Sequence, residues 1–304
     1  MKILSNIISA GNCLLLMAIC CLPVMHCYAQ DSDSTAAPAK AYVGGTFSGN
    51  LLIDNQTVMV PVKQTFEFSI QHRFGTVTDG YSDFYGLFAG ANVRFGFAYT
   101  PINNLQLGIG LCEEKMQLDG NAKYALIKQA KSGGSPVSVS LYGNMSVSTL
   151  PKEGNFVNNG DRISYFSQLI IARKITPKLS VQVSPGMAYF NNIDGYVASD
   201  GSIQPTMKNA NFSLSFMGRY KVTEGMSIMV NYDQPLTQNP TNNPHPNVSF
   251  GLELSTIGHS FQIFATNYQS INPQANNVFN QNDFSKGQYL IGFNITRRWY
   301  HDSE

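Results

Sequence analysis

The chain of 304 residues carries 20 Lys and Arg against 19 Asp and Glu, a formal net charge of +1 that offers nucleic acid no basic surface. Charged residues make up 13% of the total, about half the share usual in soluble domains. Polarity is carried instead by uncharged side chains, which suits a barrel with a wet interior and a lipid-facing outside better than an ordinary soluble domain.

At the amino terminus Lys2 precedes an apolar stretch over 7–22, and Cys27-Tyr28-Ala29 supplies small residues at the two positions a signal peptidase reads. Residues 1–29 are therefore predicted to be a signal peptide, with Gln30 opening the mature chain. Ser9, Gly11 and Asn12 interrupt the stretch, which counts against a retained membrane helix. A lipoprotein is the other alternative, but none of Cys20, Cys21 and Cys27 follows a convincing small-residue lipobox. Together with Cys13 these cysteines lie inside the predicted signal, so Cys112 stands alone and stability must come from a closed hydrogen-bonded sheet. Cys112 has no Lys, Arg or His beside it and reads as a small wall residue, not a reactive thiol. Residues 30–62 are rich in Ser, Ala and Pro over 31–41 and punctuated by Gly44-Gly45 and Gly49-Asn50. They read as a periplasmic linker free to fold back against the barrel mouth.

Over residues 63–304 one unit repeats: an alternating apolar and polar stretch, a short turn, a second such stretch, then a longer polar loop. That rhythm predicts an all-β, transmembrane, antiparallel up-and-down barrel of about twelve strands in the outer membrane. Candidate strands run over 64–73, 91–99, 105–113, 121–130, 137–148, 162–174, 178–190, 211–221, 226–233, 247–256, 259–269 and 287–300. Short connections at 100–104, 132–136, 176–177, 223–225 and 257–258 are built from strong turn formers, and longer ones such as 191–210 and 235–246 lie between them. Both ends of the barrel fall on the short-turn side, which is predicted to be periplasmic. In the last strand Ile291, Phe293 and Ile295 alternate with Gly292, Asn294 and Thr296, so a one-residue slip would turn every side chain to the wrong face. A soluble β-sandwich shares the alternation, but strict alternation of short and long connections disfavours it. So do aromatic residues near strand ends, Tyr99, Tyr189, Tyr220, Tyr232 and Trp299, which form the expected interfacial girdle. Trp299 and Tyr300 close a strand that is expected to engage the barrel-insertion machinery, and outer-membrane lipids are the other expected partner.

Nine of the 20 basic residues cluster at the inferred periplasmic ends: Lys128, Lys131, Arg173, Lys174, Lys178, Arg219, Lys221, Arg297 and Arg298. Asp79, Asp83, Glu113, Glu114, Asp119, Asp161, Asp194, Asp200 and Asp283 are assigned to the outer loops. The basic rim reads first as a solvated surface against anionic head groups, and second as a field drawing anions to the inner mouth. Lumen positions are mostly small or neutral, as in Ser138, Ser140, Tyr142 and Asn144, or Ser180, Gln182 and Ser184. Arg94, Arg219, Asp233 and Glu253 share that phase and either pair within the wall or face a polar solute. For catalysis, His259-Ser260 is the one candidate pair, but adjacent strand residues point to opposite faces. No metal-ligand spacing and no cofactor motif is present.

Five segments together resemble an uncharacterised family of Gram-negative outer-membrane β-barrel proteins, a domain of unknown function. They are His72-Arg73-Phe74-Gly75, Gly86-Leu87-Phe88 with Asn92-Val93-Arg94, the strand from Leu179 to Pro185, Gly258-His259-Ser260-Phe261-Gln262 through Asn267, and Gly292-Phe293-Asn294-Ile295. The resemblance implies fold and membrane location, and brings no substrate or reaction with it. The functional expectation is a narrow pore or transporter for small polar solutes, or a closed structural and interaction barrel. A lipid hydrolase using His259 and Ser260 is the alternative from another class.

Overall fold

The computed structural model describes residues 41–300, so the predicted signal peptide and the start of the linker lie outside the described residues. Twelve strands form one closed antiparallel barrel in sequence order, the last pairing with the first. They are β1 (Thr65–Thr76), β2 (Asn92–Ile102), β3 (Leu105–Cys112), β4 (Gln117–Ile127), β5 (Ser138–Ser148) and β6 (Ile163–Lys174). The second half comprises β7 (Leu179–Phe190), β8 (Ala210–Lys221), β9 (Met226–Pro235), β10 (Asn247–Ser255), β11 (His259–Thr266) and β12 (Leu290–Tyr300). Closure by the β12–β1 ladder, from Tyr300↔Thr65 to Leu290↔Thr76, leaves the barrel sheet without an unpaired edge.

Facing follows the two-residue period of the pleat. On β8, Asn211, Ser213, Ser215 and Met217 are buried inward while Phe212, Phe216 and Tyr220 are exposed outward. On β12, Leu290, Gly292, Asn294 and Thr296 turn inward, and Trp299 is exposed outside beside Phe66 of β1, ring centroids 5.6 Å apart. An outward apolar surface of this kind is stable only against lipid. Cys112 is a buried wall residue whose thiol lies 3.6 Å from Asn92 Oδ1.

The alternation of connection lengths is not strict. Residues 113–116 join β3 to β4 at the long-loop end in four residues, with Lys115 and Met116 both at positive φ, 55° and 47°. That tight turn lengthens β4 toward its start, so Asp119 belongs to the wall and not to an outer loop.

The larger correction concerns the linker. Residues 46–58 do not stay outside the mouth: they enter from the short-turn end and run through the lumen as a plug. Its core is a small hairpin pairing Leu51↔Gln56 and Leu52↔Asn55, with Ile53 and Asp54 at the tip. Ile53 has φ 59°, a left-handed conformation that a β-branched residue adopts only when its surroundings impose it. Here Gln262 Oε1 accepts its N–H at 3.0 Å and Asn294 Nδ2 donates to its carbonyl at 2.6 Å. The physical reason for the plug is apolar surface inside the barrel. Ile170, Met217, Met229 and Phe264 face inward and bury Leu52, Ile53 and Val58 in one cluster, each worth about 1.5–3 kcal/mol of transfer free energy.

A second insertion enters from the opposite end. The β11–β12 connection, residues 267–289, folds inward around a short helix, Pro273–Asn276. Tyr268, Ile271, Asn272 and Gln274 are almost fully buried. Asn272 Nδ2 donates to Ser146 Oγ at 2.9 Å and to Gln117, and Gln274 Nε2 donates to Asn144 Oδ1 at 2.6 Å. Between the plug tip and this loop lies a cavity of only about 20 Å³, lined among others by Asp54, Asn55, Arg94, Tyr142, Ile271 and Pro273. That is space for about one water molecule.

Candidate functional site

The candidate site is the interface between plug and wall. Lys123 of β4 is buried and points its ammonium at the plug, donating to Asn50 O at 3.3 Å, Gln56 Oε1 at 3.0 Å and Thr57 O at 3.2 Å. Glu67 of β1 accepts from Asn50 Nδ2 at 2.8 Å. Gln182 and Ser140 bracket Val58, the former accepting its N–H at 3.0 Å and the latter donating to its carbonyl at 2.8 Å. At the tip Asp54 pairs with Arg73, whose guanidinium also stacks over Phe264, 4.5 Å from the ring centroid. Wall side chains thus satisfy plug backbone groups that would otherwise be buried without partners.

Each charged lumen candidate has a partner. Arg94 makes a two-pronged bond to Asp119, Nε to Oδ2 at 2.8 Å and Nη2 to Oδ1 at 2.7 Å, and donates to Gln71 Oε1 at 3.1 Å. Arg219 Nε donates to Glu253 Oε2 at 2.6 Å. The Glu253 carboxylate further accepts from Ser260, Gln262 and the plug residue Ser48. Asp233 has no cation beside it among the described residues and is held by amides, accepting from Asn55 of the plug at 2.8 Å, Asn231 at 3.0 Å and Asn247 at 3.4 Å.

The catalytic candidates separate. Ser260 turns inward, its Oγ donating to Glu253 Oε1 at 3.2 Å. His259 turns outward, parallel to Phe261 with centroids 6.0 Å apart and bonded to Arg297. The two side chains sit on opposite faces of one strand and do not form a nucleophile–base pair.

At the short-turn mouth the lumen opens into a larger cavity of about 480 Å³, lined by Lys174, Lys178, Arg219, Lys221 and Glu224 with Phe47 and Ser48 of the plug. The Lys221 ammonium, 2.5 Å from Glu224, holds that turn carboxyl below the usual carboxylate range.

Sequence reasoning missed Asp54, Glu67, Arg73 and Lys123. The signal was present, since Glu67, Arg73 and Lys123 share the inward phase of their strands with the buried Gln71 and Ala125.

A closed barrel with an apolar exterior, a polar wall and a plugged lumen defines a membrane β-barrel. Residues 47–299 match the family described as membrane bound beta barrel domain (DUF5777), and the chain belongs to that family. The match begins inside the plug, so the plug is part of the family's domain. None of the curated protein sequences matches the chain. Among solved structures, a NanC porin is similar at 10% identity over 78% of this chain and 100% of that chain, with a TM-score of 0.49. The KdgM porin is similar at 9% identity over 78% of this chain and 99% of that chain, with a TM-score of 0.43. An outer membrane channel from Pseudomonas putida F1 is similar at 11% identity over 79% of this chain and 97% of that chain, with a TM-score of 0.48.

Proposed function

We propose that the protein is an outer-membrane channel for small polar solutes, closed at rest by its own amino-terminal plug and by the β11–β12 loop, and not an enzyme. The observation that carries this reading is the chemistry of the wall. Ser140, Asn144, Gln182, Ser184, Ser215, Asn231 and Asn294 line the lumen from different strands, all nearly fully buried under the inserts. Such groups exchange a protein partner for water at small net cost, so withdrawing the plug leaves a wall that water can wet everywhere but at the apolar patch of Ile170, Met217, Met229 and Phe264. An obligately closed barrel has no need of a hydratable wall and is more simply built with an apolar core.

A second reading, a permanently closed structural barrel, is favoured by the fully buried Asp54–Arg73 pair and by the small residual cavity. Planar-bilayer recording separates the two. The full chain is expected to stay mostly closed. A variant lacking residues 46–58, with 271–278 replaced by a short Gly-Ser linker, is expected to conduct steadily. If that variant folds, as judged by heat-modifiable migration, and carries no current, the channel reading is wrong and the structural one stands.

A further inference from the structure

The strand register places Lys174, Ser180 and Arg219 directly opposite one another on three neighbouring strands, Lys174↔Ser180 on β6 and β7 and Ser180↔Arg219 on β7 and β8. Residues opposite one another share a face, and here it is the lumen face, because Ser180 is buried inward. The Cα atoms of two cationic residues therefore stand about 10 Å apart with a small hydroxyl residue between them. Lys178, at the adjacent turn, and Lys221, two residues beyond Arg219 and so on the same face, line the same cavity of about 480 Å³. This size is ample for a small metabolite.

The charges around the cavity do not balance. Arg219 is matched by Glu253 and Lys221 by Glu224. Lys174 and Lys178 make no salt bridge among the described residues: Glu224, the one carboxylate lining the cavity, is bonded to Lys221, and the Lys174 ammonium donates to a backbone carbonyl, Gly44 O at 3.0 Å. Two positive charges are thus left over inside a recess. The Oγ of Ser255, another lining residue, is buried with no hydrogen-bond partner. A rim that served only to touch lipid head groups would put its cations on the outward phase, where Arg173 stands. These four face the opening.

We infer that this vestibule binds a small organic dianion, Lys174 and Lys178 supplying the uncompensated charge and Ser180 and Ser255 the hydroxyls. The inference rests on the channel reading and names its substrate class. Phe47 and Ser48 of the plug form part of the same cavity, and Ser48 and Arg219 share the Glu253 carboxylate. An anion that draws Arg219 away from Glu253 acts on the group that holds the plug.

Binding can be measured without current, which keeps this test apart from the test of conduction. The full chain, folded in nonionic detergent at low ionic strength, is titrated calorimetrically with succinate and with acetate. One succinate site per chain is expected, at least tenfold tighter than acetate. The Lys174→Gln/Lys178→Gln variant, with both positions at a strand end and turn where folding is least affected, should bind succinate at least tenfold more weakly. The Lys128→Gln/Lys131→Gln variant, exposed on another turn, should stay within twofold. Absence of saturable succinate binding, equal affinity for acetate, an unchanged Lys174/Lys178 variant or an equal loss in the Lys128/Lys131 variant overturns the site. Displacement of succinate by short-chain phosphatidylglycerol would assign it to a lipid head group and overturn the soluble ligand. Should succinate bind while the plug-deleted barrel carries no current, the channel reading fails and the anion site survives it.

Discussion

Asp54, at the tip of the plug hairpin, and Arg73, on the first barrel strand, form an ion pair with both side chains wholly withdrawn from solvent. Nineteen residues separate them in sequence, and the pair joins the innermost point of the plug to the wall. Removing one partner leaves the other charge buried alone, at a cost of about 3–5 kcal/mol. Asp54→Ala is therefore expected to lower the barrel's unfolding midpoint in denaturant, while Asp54→Leu combined with Arg73→Met should lose far less than the two single changes added together. Strict additivity in that double-mutant cycle would mean that the two groups are not energetically coupled.

Lys123 acts differently, because its bonds go to plug backbone and amide oxygens and not to an acid. Lys123→Met removes charge-assisted bonds worth about 2–3 kcal/mol in total after exchange with water. Plug opening is then expected to become roughly 30- to 150-fold more frequent. Hydrogen exchange of the amides at 50–58 should accelerate by that factor while the barrel strands keep their protection. Equal acceleration throughout would show that Lys123 supports the barrel as a whole and not plug docking.

All twelve strands were legible in the sequence, because a period of two survives wherever one face meets lipid. Where it failed, a specific interaction was responsible. Residues 117–120 looked like loop because Asp119 and Gly120 are polar or small, yet Asp119 is paired with Arg94 across the wall. The plug was illegible for another reason. Its hairpin arms are two residues long, too short for a periodic pattern, and its partners lie far away, Gln262 being 209 residues from Ile53 and Asn294 a further 32 on. The legible clue was on the wall: Ile170, Met217, Met229 and Phe264, with Phe166, are apolar in a phase that is elsewhere mostly Ser, Asn and Gln.

The same packing decides how each face of β8 tolerates bulk. Leu214 faces outward and Ser213 inward, where its Oγ would lie 3.3 Å from a Cβ added at Gly186, itself crowded by the Phe166 ring. Leu214→Phe is expected to be near neutral, because fluid lipid makes room for it. Ser213→Phe should cost about 1–3 kcal/mol or more through overpacking. Leu214→Lys should cost roughly 2–4 kcal/mol if the residue lies near the bilayer midplane. Folding yields into lipid vesicles rank the three, and a Ser213→Phe variant that folds as well as Leu214→Phe would contradict a filled lumen.

Gly110 tests the Arg94–Asp119 pair through the backbone. A Cβ at this position would lie 2.2 Å from Arg94 Nη2 and 2.3 Å from Asp119 Oδ2. Gly110→Ala must therefore push the two charges apart, and a loss of about 1–3 kcal/mol is expected from the forced rearrangement. In an Arg94→Gln/Asp119→Asn background the same Gly110→Ala change should cost much less, since smaller, neutral groups give way. A cost that is identical in both backgrounds would place the strain in the strand and not in the ion pair.

Both ends of the barrel and the plug's point of insertion lie at the short-turn end, beside the 128–137 connection, where Tyr42 bridges to Ala130 and Val43 N–H donates to Gln129 O at 2.8 Å. If the chain is exported and inserted from the periplasm, that end stays periplasmic and the connections at 191–209 and 236–246 face outward. Cysteines placed at Asp200 and Asn242, in a Cys112→Ser background, should react with a membrane-impermeant maleimide on intact cells. A cysteine at Gly133, at the tip of an exposed turn with open space around it, should react only after the outer membrane is broken. Labelling of Gly133→Cys on intact cells would invert the orientation, put the plug and the basic vestibule on the cell surface, and turn the dianion site from an exit into an entrance.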